Sequence, residues 1–171
     1  MVLCDHSTWI YIQYMISSFI NDTLLPPNFE KEVMNMWETE KPYTTEWYKK
    51  NSNVEITDYE HKLQPLYNFF CEKVKSIYNK EVNPIQRYWA CIHTNEFTFN
   101  NWHNHLHSSD VNGVYYITKG CEIHLKNESN EIIKYYPKQY ELIIFPSWVN
   151  HMPVYKEANR MSLNIECNLS D

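Results

Sequence analysis

The feature that most restricts the fold of this sequence is a change of hydrophobic period near residue 85. Before it, apolar residues recur at three- and four-residue steps, the spacing of an amphipathic helix. They are Leu63, Leu66, Phe70, Val74 and Ile77. After it come short segments rich in Tyr, Ile and Val that are separated by turns, namely 87–93, 113–118, 121–126, 131–136, 141–145 and 160–167. The pattern predicts a mainly β fold with N-terminal helices, in which a small barrel or sandwich has helices on one side.

The N-terminal half is predicted to be a lead of helices and loops. Pro65 is compatible with the amphipathic helix only near its first turn, because proline lacks the backbone N–H. Segments 10–20 and 29–37 are also predicted to be helical, whereas 21–28 and 41–58 are predicted loops. A chain of 171 residues with 43% hydrophobic content can bury one sizeable core. We therefore expect a single domain, 1–171, with a helical and loop lead over 1–84 and a β core over 85–168.

Composition and charge exclude several classes of protein. The net charge is −6 and there is no dense Lys/Arg block, so nucleic acid is not an expected partner. The apolar stretch 10–20 is short and interrupted by polar residues, so neither a membrane span nor a secretory signal is expected. Five widely spaced cysteines favour reduced core thiols, and two glycines cannot form a Gly-rich phosphate loop. A cytoplasmic protein is expected.

A run of alternating histidines is the strongest functional signal. His103, His105 and His107 are followed, 44 residues later, by His151. Side chains at i and i+2 of an extended segment point the same way, so two of the first three imidazoles can bind one metal while a remote strand provides the third ligand. The spacing predicts three ligands on one face of a metal ion.

A second polar pattern begins nine residues after His151. Arg160, Ser162 and Asn164 alternate with apolar residues, so in a strand they share one face. A guanidinium presents a planar fork of donors that matches a carboxylate. We expect this face to hold an anionic organic acid beside the metal.

Four motifs in this order resemble the Fe(II)- and 2-oxoglutarate-dependent oxygenases, in their prolyl-hydroxylase-like branch. The family patterns are H-x-H, S-G-V-Y-Y, P-x-x-G-x-L-x-x-F-P-S-W-x-x-H and R-x-S-x-N. The corresponding stretches of this chain are 103–105, 112–116, 137–151 and 160–164. The likeness covers residues 85–168. Three positions depart from the pattern, since Asn112 replaces Ser, Tyr140 replaces Gly, and Leu106 stands where Pro is common.

The resemblance implies a double-stranded β-helix core, of the jelly-roll or cupin-like kind, and a dioxygenase that couples oxidative decarboxylation of 2-oxoglutarate to hydroxylation of a substrate. The cofactors would be Fe(II) and 2-oxoglutarate. The catalytic metal ligands would be His103, His105 and His151. The residues that bind the distal carboxylate of 2-oxoglutarate would be Tyr116, Arg160 and Ser162. Most relatives have His-x-Asp, so a His-x-His triad carries one negative charge less and makes the metal site more electropositive.

The histidine run allows two ligand pairs. With His103 and His105 as ligands, the loop to Gly113 is one residue longer than in relatives. With His105 and His107, it is one residue shorter. An inserted loop residue is easier to absorb than a lost one, which favours the first pair.

Two other classes of protein stay open. A cupin-like His-ligated metalloprotein, such as a thiol dioxygenase, an isomerase or a binding module, would use no 2-oxo acid, although only Asp110 is available where the cupin pattern expects a glutamate. The other class is a non-catalytic jelly-roll interaction protein. The substrate class remains open among small molecules, amino acids and peptidyl side chains, and the sequence does not indicate an oligomeric state.

The remaining histidines and aromatic residues have ordinary interpretations. Positions at the surface or the edge of the core are predicted for His6, His61, His93 and His124, of which the last two could line the pocket. Core packing is predicted for Trp102, Trp148, Tyr115 and Phe145.

Overall fold

The computed structural model of the protein describes residues 15–40, 53–55, 60–93, 100–154 and 160–170. The helices are α1 (Phe29–Glu40) and α2 (Glu60–Tyr78). The strands are β1 (Ser17–Ile20), β2 (Asn53–Glu55), β3 (Val82–His93), β4 (Val111–Tyr116), β5 (Glu122–Lys126), β6 (Ile132–Tyr135), β7 (Glu141–Pro146), β8 (His151–Val154) and β9 (Arg160–Leu169). No helix in these ranges is long and apolar enough to cross a lipid bilayer.

The strands form two antiparallel sheets. The larger sheet has the order β1-β7-β4-β9-β3-β2, and the smaller has the order β6-β5-β8. The chain alternates between them, because β7 belongs to the larger sheet while β6 and β8, which flank it in sequence, belong to the smaller. The prediction of a mainly β fold with N-terminal helices is confirmed.

Strand β9 shows how the two faces of the larger sheet differ. Met161, Leu163 and Ile165 are buried in a core that also contains residues of α1 and α2. The residues between them point to the opposite face, because side chains alternate along a strand. Val114 lies directly across from Asn164 on that face, and it belongs to a second core shared with the smaller sheet. The polar row of β9 therefore faces the space between the two sheets.

Helix α2 packs on the larger sheet through the predicted apolar stripe. The fully buried members are Leu63, Leu66, Phe70 and Val74, whereas Ile77 is 39% exposed at the edge. Phe70 lies against Gly113 of β4, where an added Cβ would be 2.7 Å from the phenyl ring. Gly113 therefore sets how closely the helix approaches the sheet. Pro65 is the sixth residue of α2, just beyond the first turn.

Several local predictions differ from the structure. Ser17–Ile20, within the predicted helix 10–20, is strand β1 at the edge of the larger sheet, while residues 10–14 lie outside the described ranges. Asn53–Glu55 is a strand within the predicted loop 41–58, most of which also lies outside those ranges. Strand β8 is absent from the predicted segments. The loop over 21–28 and the helix that begins at Phe29 are confirmed.

Tyr140 occupies the position at which the related motif has glycine, and its φ is 62°. This left-handed conformation is open to glycine at no steric cost and is uncommon for a bulky residue. The backbone N–H of Tyr140 donates to the carbonyl of Tyr116 at 2.7 Å, and its ring lies 6.5 Å from that of Tyr115. These contacts hold the turn at Tyr140.

Candidate metal centre

The backbone brings two distant parts of the histidine pattern together. His103 and His151 exchange two hydrogen bonds, with N–H···O distances of 3.0 and 2.9 Å. The N–H of His105 donates to the carbonyl of Ser147 at 2.9 Å. The segment before β4 is thus fixed against the start of β8, and the two-residue step from His103 to His105 keeps both side chains on one side.

The three imidazoles form a compact cluster. The potential ligand atoms of His103, His105 and His151 all lie within 4.8 Å of one another. The ring centroids of His103 and His151 are 4.2 Å apart, and that of His105 is 5.2 Å from each. His107 is exposed and lies outside the cluster. The structure therefore assembles the first of the two candidate ligand pairs.

Each ring of the cluster has its Nδ1 atom occupied by an acceptor. Nδ1 of His103 lies 3.0 Å from the carbonyl of Asn101, and Nδ1 of His151 lies 3.1 Å from the carbonyl of Val149. Nδ1 of His105 lies 2.6 Å from Oε1 of Glu166. An imidazole that donates from Nδ1 carries its lone pair on Nε2. All three rings can therefore present Nε2 to one cation.

Burial favours the neutral form of these ligands. It lowers the pKa of His151 well below its ordinary value, and the neighbouring His103 and His105 lower it further. Burial also lowers the pKa of His103. Because only neutral imidazole binds a metal, the lowered pKa values leave these rings ready to coordinate at neutral pH. The donor set fits a borderline divalent metal such as Fe(II).

The predicted co-substrate residues lie side by side between the sheets. Tyr116 of β4 and Ser162 of β9 are directly opposite in register, and Arg160 is two residues from Ser162 on the same face. All three are buried, with exposed fractions of 0%, 1% and 5%, respectively. The guanidinium carbon of Arg160 lies 5.4 Å from the centre of the Tyr116 ring.

Arg160 is a buried cation with few acceptors around it. Within the described ranges it forms no ion pair with a carboxylate. Its Nε–H and the hydroxyl of Tyr116 are buried without a hydrogen-bond partner in the same ranges. Leaving such groups unpaired is costly, so the site fits a carboxylate ligand.

His93 provides an acceptor that contacts the guanidinium. Nη1 of Arg160 lies 3.3 Å from Nε2 of His93, which must therefore be unprotonated. Burial, together with the nearby charge of Arg160, lowers the pKa of His93 to about 3. A position at the surface or core edge is wrong for His93, which is fully buried beside the predicted co-substrate residues.

Glu166 is a residue of this site that sequence reasoning missed. Its side chain is buried on β9 and contacts His105 at one oxygen. The hydroxyl of Ser108 donates to the same oxygen at 3.1 Å. The alternation of Arg160, Ser162 and Asn164 continues to position 166, so the spacing of the sequence places Glu166 on the same face of the strand.

The other histidines lie apart from the cluster. His124 lies at the core edge as predicted, and its Nε2 is 2.6 Å from Oε1 of Glu122 on the same strand. His6 and the side chain of His61 lie outside what the structure describes.

The predicted core aromatics differ in their burial. Tyr115 and Phe145 are fully buried as predicted. Core packing is wrong for Trp148, which is 42% exposed. Trp102 is partly buried, with the ammonium of Lys126 4.5 Å above its ring.

Trp89 stacks on the His105 ring, with the two ring centroids 5.9 Å apart, and so shields one side of the cluster.

Solved structures of similar fold include several oxygenases. Prolyl 4-hydroxylase from Phytophthora capsici matches with 12% identity and a TM-score of 0.59, over 90% of this chain and 59% of its own length. A prolyl hydroxylase from Trichoplax adhaerens, in complex with a hypoxia inducible factor peptide fragment, matches with 14% identity and a TM-score of 0.60. The match covers 94% of this chain and 88% of the hydroxylase. The non-haem α-ketoglutarate-dependent carbocyclase SnoK of nogalamycin biosynthesis matches with 8% identity and a TM-score of 0.63. The match covers 98% of this chain and 85% of the carbocyclase. The protein therefore has the double-stranded β-helix fold of 2-oxoglutarate- and Fe(II)-dependent oxygenases.

The same fold also hosts other proteins. An acireductone dioxygenase from Bacillus anthracis, with a cadmium ion in its active centre, matches with 10% identity and a TM-score of 0.51, over 95% of this chain and 86% of its own. No protein-family model and no curated protein matches the sequence. Fold alone does not select a reaction, so the choice of function depends on the residues of the site.

Proposed function

We propose that the protein is an Fe(II)- and 2-oxoglutarate-dependent dioxygenase that couples decarboxylation of the co-substrate to hydroxylation of a substrate. The observation that carries the proposal is the cluster of His103, His105 and His151, in which each Nδ1 is occupied and each Nε2 is available. Three protein ligands on one face of the ion leave positions for a bidentate 2-oxo acid and for O2.

Bound Fe(II) would supply the centre at which O2 and 2-oxoglutarate react. The residues of the chain would orient the ligands and limit the access of water. The carbonyls of Asn101 and Val149 and the carboxylate of Glu166 would fix the tautomers of the three rings. The Phe145 ring, whose centroid lies 5.0 Å from that of His151, would keep the inner side of the cluster dry.

Arg160 would bind the distal carboxylate of 2-oxoglutarate. Its unpaired Nε–H and the unpaired hydroxyl of Tyr116 are donors of the kind that a carboxylate accepts from, and Ser162 adds a hydroxyl on the same face. The acid would also neutralise a buried charge. On the other side of the guanidinium, Nη1 of Arg160 would donate to Nε2 of His93.

A second candidate is a His-ligated metalloprotein that uses no 2-oxo acid. The all-histidine triad and the likeness to a dioxygenase of another substrate favour it. It offers no role for the buried, unpaired donors of Arg160 and Tyr116, which is why we place it second.

The substrate would be a small molecule, an amino acid or a peptidyl side chain. The Trichoplax neighbour is in complex with a peptide, which is compatible with the last of these. We further propose that residues 1–171 form one domain, with selectivity residing in the lead over 1–84 and in the loops around the site.

Succinate formation from 2-oxoglutarate, with Fe(II) under air, tests the proposal. We expect turnover by the wild-type protein and by His107→Ala, a matched control because this histidine is exposed outside the cluster. The His151→Ala variant should form none. Tight Fe(II) binding with no consumption of 2-oxoglutarate would favour the second candidate.

A further inference from the structure

The carboxylate of Glu166 is buried next to the imidazole ring of His105. Its side chain is 2% exposed, and Oε1 lies 2.6 Å from Nδ1 of His105. Ser108 donates a second hydrogen bond to the same oxygen, whereas Oε2 has no partner within the described ranges. No Lys or Arg of these ranges forms an ion pair with it. A buried carboxylate in such surroundings is costly unless a positive charge lies nearby.

A cation at Nε2 of His105 would provide that charge. Nε2 is on the opposite side of the imidazole from the nitrogen that contacts Glu166. A carboxylate on the outer nitrogen of a metal-bound histidine fixes the ring and raises its basicity as a ligand. The cluster itself contains no acidic ligand, and Glu166 contacts one of its three histidines.

We propose that Glu166 is a positioning residue that supplies a negative charge to the metal site through His105. The inference rests on the proposed function. The carboxylate of an acidic ligand would contact the metal directly, whereas the carboxylate of Glu166 is separated from it by the imidazole ring of His105. It acts by making His105 a more basic ligand. Glu166 should therefore raise the affinity of the triad for a divalent cation and stabilise Fe(III) relative to Fe(II).

The chain contains a matched control for this pair. His124 and Glu122 form a contact of the same length, 2.6 Å, with side-chain exposures of 14% and 2%, compared with 18% and 2% for His105 and Glu166. His124 is not a member of the metal cluster. Glu122→Gln thus removes an equally buried carboxylate from an equally close histidine elsewhere in the fold.

Co(II) titration followed by visible absorption tests the effect on affinity. Gln at position 166 keeps an oxygen that can accept from His105 but removes the charge. We expect Glu166→Gln to bind Co(II) at least about tenfold more weakly than wild type, Glu166→Asp to recover part of the loss, and Glu122→Gln to bind like wild type. Equal Co(II) affinity in Glu166→Gln and wild type would overturn the inference. A wild-type protein that binds neither Co(II) nor Fe(II) would instead overturn the proposed function.

Two measurements separate this role from a purely structural one. The Fe(III)/Fe(II) midpoint potential should be higher in Glu166→Gln than in wild type, and an unchanged potential would contradict the charge effect. Nitrogen NMR of the metal-free wild-type protein, labelled in histidine, should show the proton of His105 on Nδ1. A proton on Nε2 instead would overturn the pairing, and this result does not depend on any variant folding.

Discussion

A histidine that binds metal through one nitrogen needs a partner for the other, or its ring orientation and tautomer are left unfixed. The partners in this protein are two backbone carbonyls and one carboxylate. The carbonyls orient His103 and His151 without adding charge, whereas Glu166 adds a full negative charge behind His105. Three rings of the same residue type are therefore not chemically equivalent.

Replacement of His151 by alanine should abolish Fe(II) binding or weaken it severely, because a two-ligand site loses its chelate geometry. Iron stoichiometry after anaerobic loading measures this directly. His107→Ala should bind iron as wild type does. One iron bound per chain with wild-type affinity in His151→Ala would contradict the triad.

Replacement of Arg160 by alanine should leave Fe(II) affinity nearly intact and lower the affinity for 2-oxoglutarate. Loss of a buried charged hydrogen-bond partner is worth roughly 2–5 kcal/mol, which corresponds to a decrease of about thirtyfold or more. Arg160→Lys should retain only part of the affinity for 2-oxoglutarate, because lysine lacks the planar fork of donors. Unchanged 2-oxoglutarate binding in Arg160→Ala, measured by titration, would mean that the acid is held elsewhere.

Strand β9 links the core and the site because its two faces have separate tasks. Met161, Leu163 and Ile165 pack toward the helices, while the residues between them carry the charged and polar groups of the site. A register slip of one residue would exchange these two sets. The burial of the apolar set therefore fixes where Arg160 and Glu166 point.

Gly113→Ala should destabilise the fold by about 1–3 kcal/mol, because the added methyl group would overlap the Phe70 ring between α2 and β4. Urea unfolding measures the change. The cost should be smaller in a Phe70→Leu background. Gly120→Ala is a useful comparison, since this glycine has φ of 74° and open space around it, so that its substitution reports backbone strain without a clash. Wild-type stability of Gly113→Ala would refute the close packing.

The local hydrophobic pattern was sufficient to predict α2 and most strands, because their periods are regular and their apolar residues are buried. It failed for β1, a four-residue edge strand of alternating exposure, and for β8, which contains Pro153. Spacing alone left the choice between His103 and His107 open, and the backbone pairing with His151 determined which one joins the cluster. The contact between Glu166 and His105 depends on long-range pairing that no local pattern contains.

The molecule as a whole encloses ionisable side chains between two sheets. His93, His103 and His151 all have a lowered pKa, chiefly because burial disfavours their charged forms. This arrangement keeps ligands and acceptors neutral at physiological pH. It also makes the free energy of unfolding depend on pH, because the unfolded chain can bind protons that the folded protein excludes.

Stability should therefore decrease as the solution is acidified. The pKa of His93 is about 3 in the folded protein and 6.5 ordinarily, so the stability that its neutral form contributes is present above pH 6.5 and is lost as the pH falls toward 3. Well below pH 6.5, each such histidine lowers the free energy of unfolding by about 1.4 kcal/mol per pH unit. Urea unfolding of the metal-free protein between pH 7 and pH 5 should show a smaller decrease for His93→Gln than for wild type. Equal decreases would contradict the burial of a neutral His93.

The most direct test of the proposed chemistry is anaerobic visible absorption of the Fe(II)-loaded protein as 2-oxoglutarate is added. A chelated 2-oxo acid gives a metal-to-ligand charge-transfer band, which requires the metal and the acid to occupy one site. We expect the band in wild type, its absence in His151→Ala, and its appearance only at much higher 2-oxoglutarate concentration in Arg160→Ala. A wild-type protein that binds Fe(II) and develops no band at saturating 2-oxoglutarate would contradict the proposal.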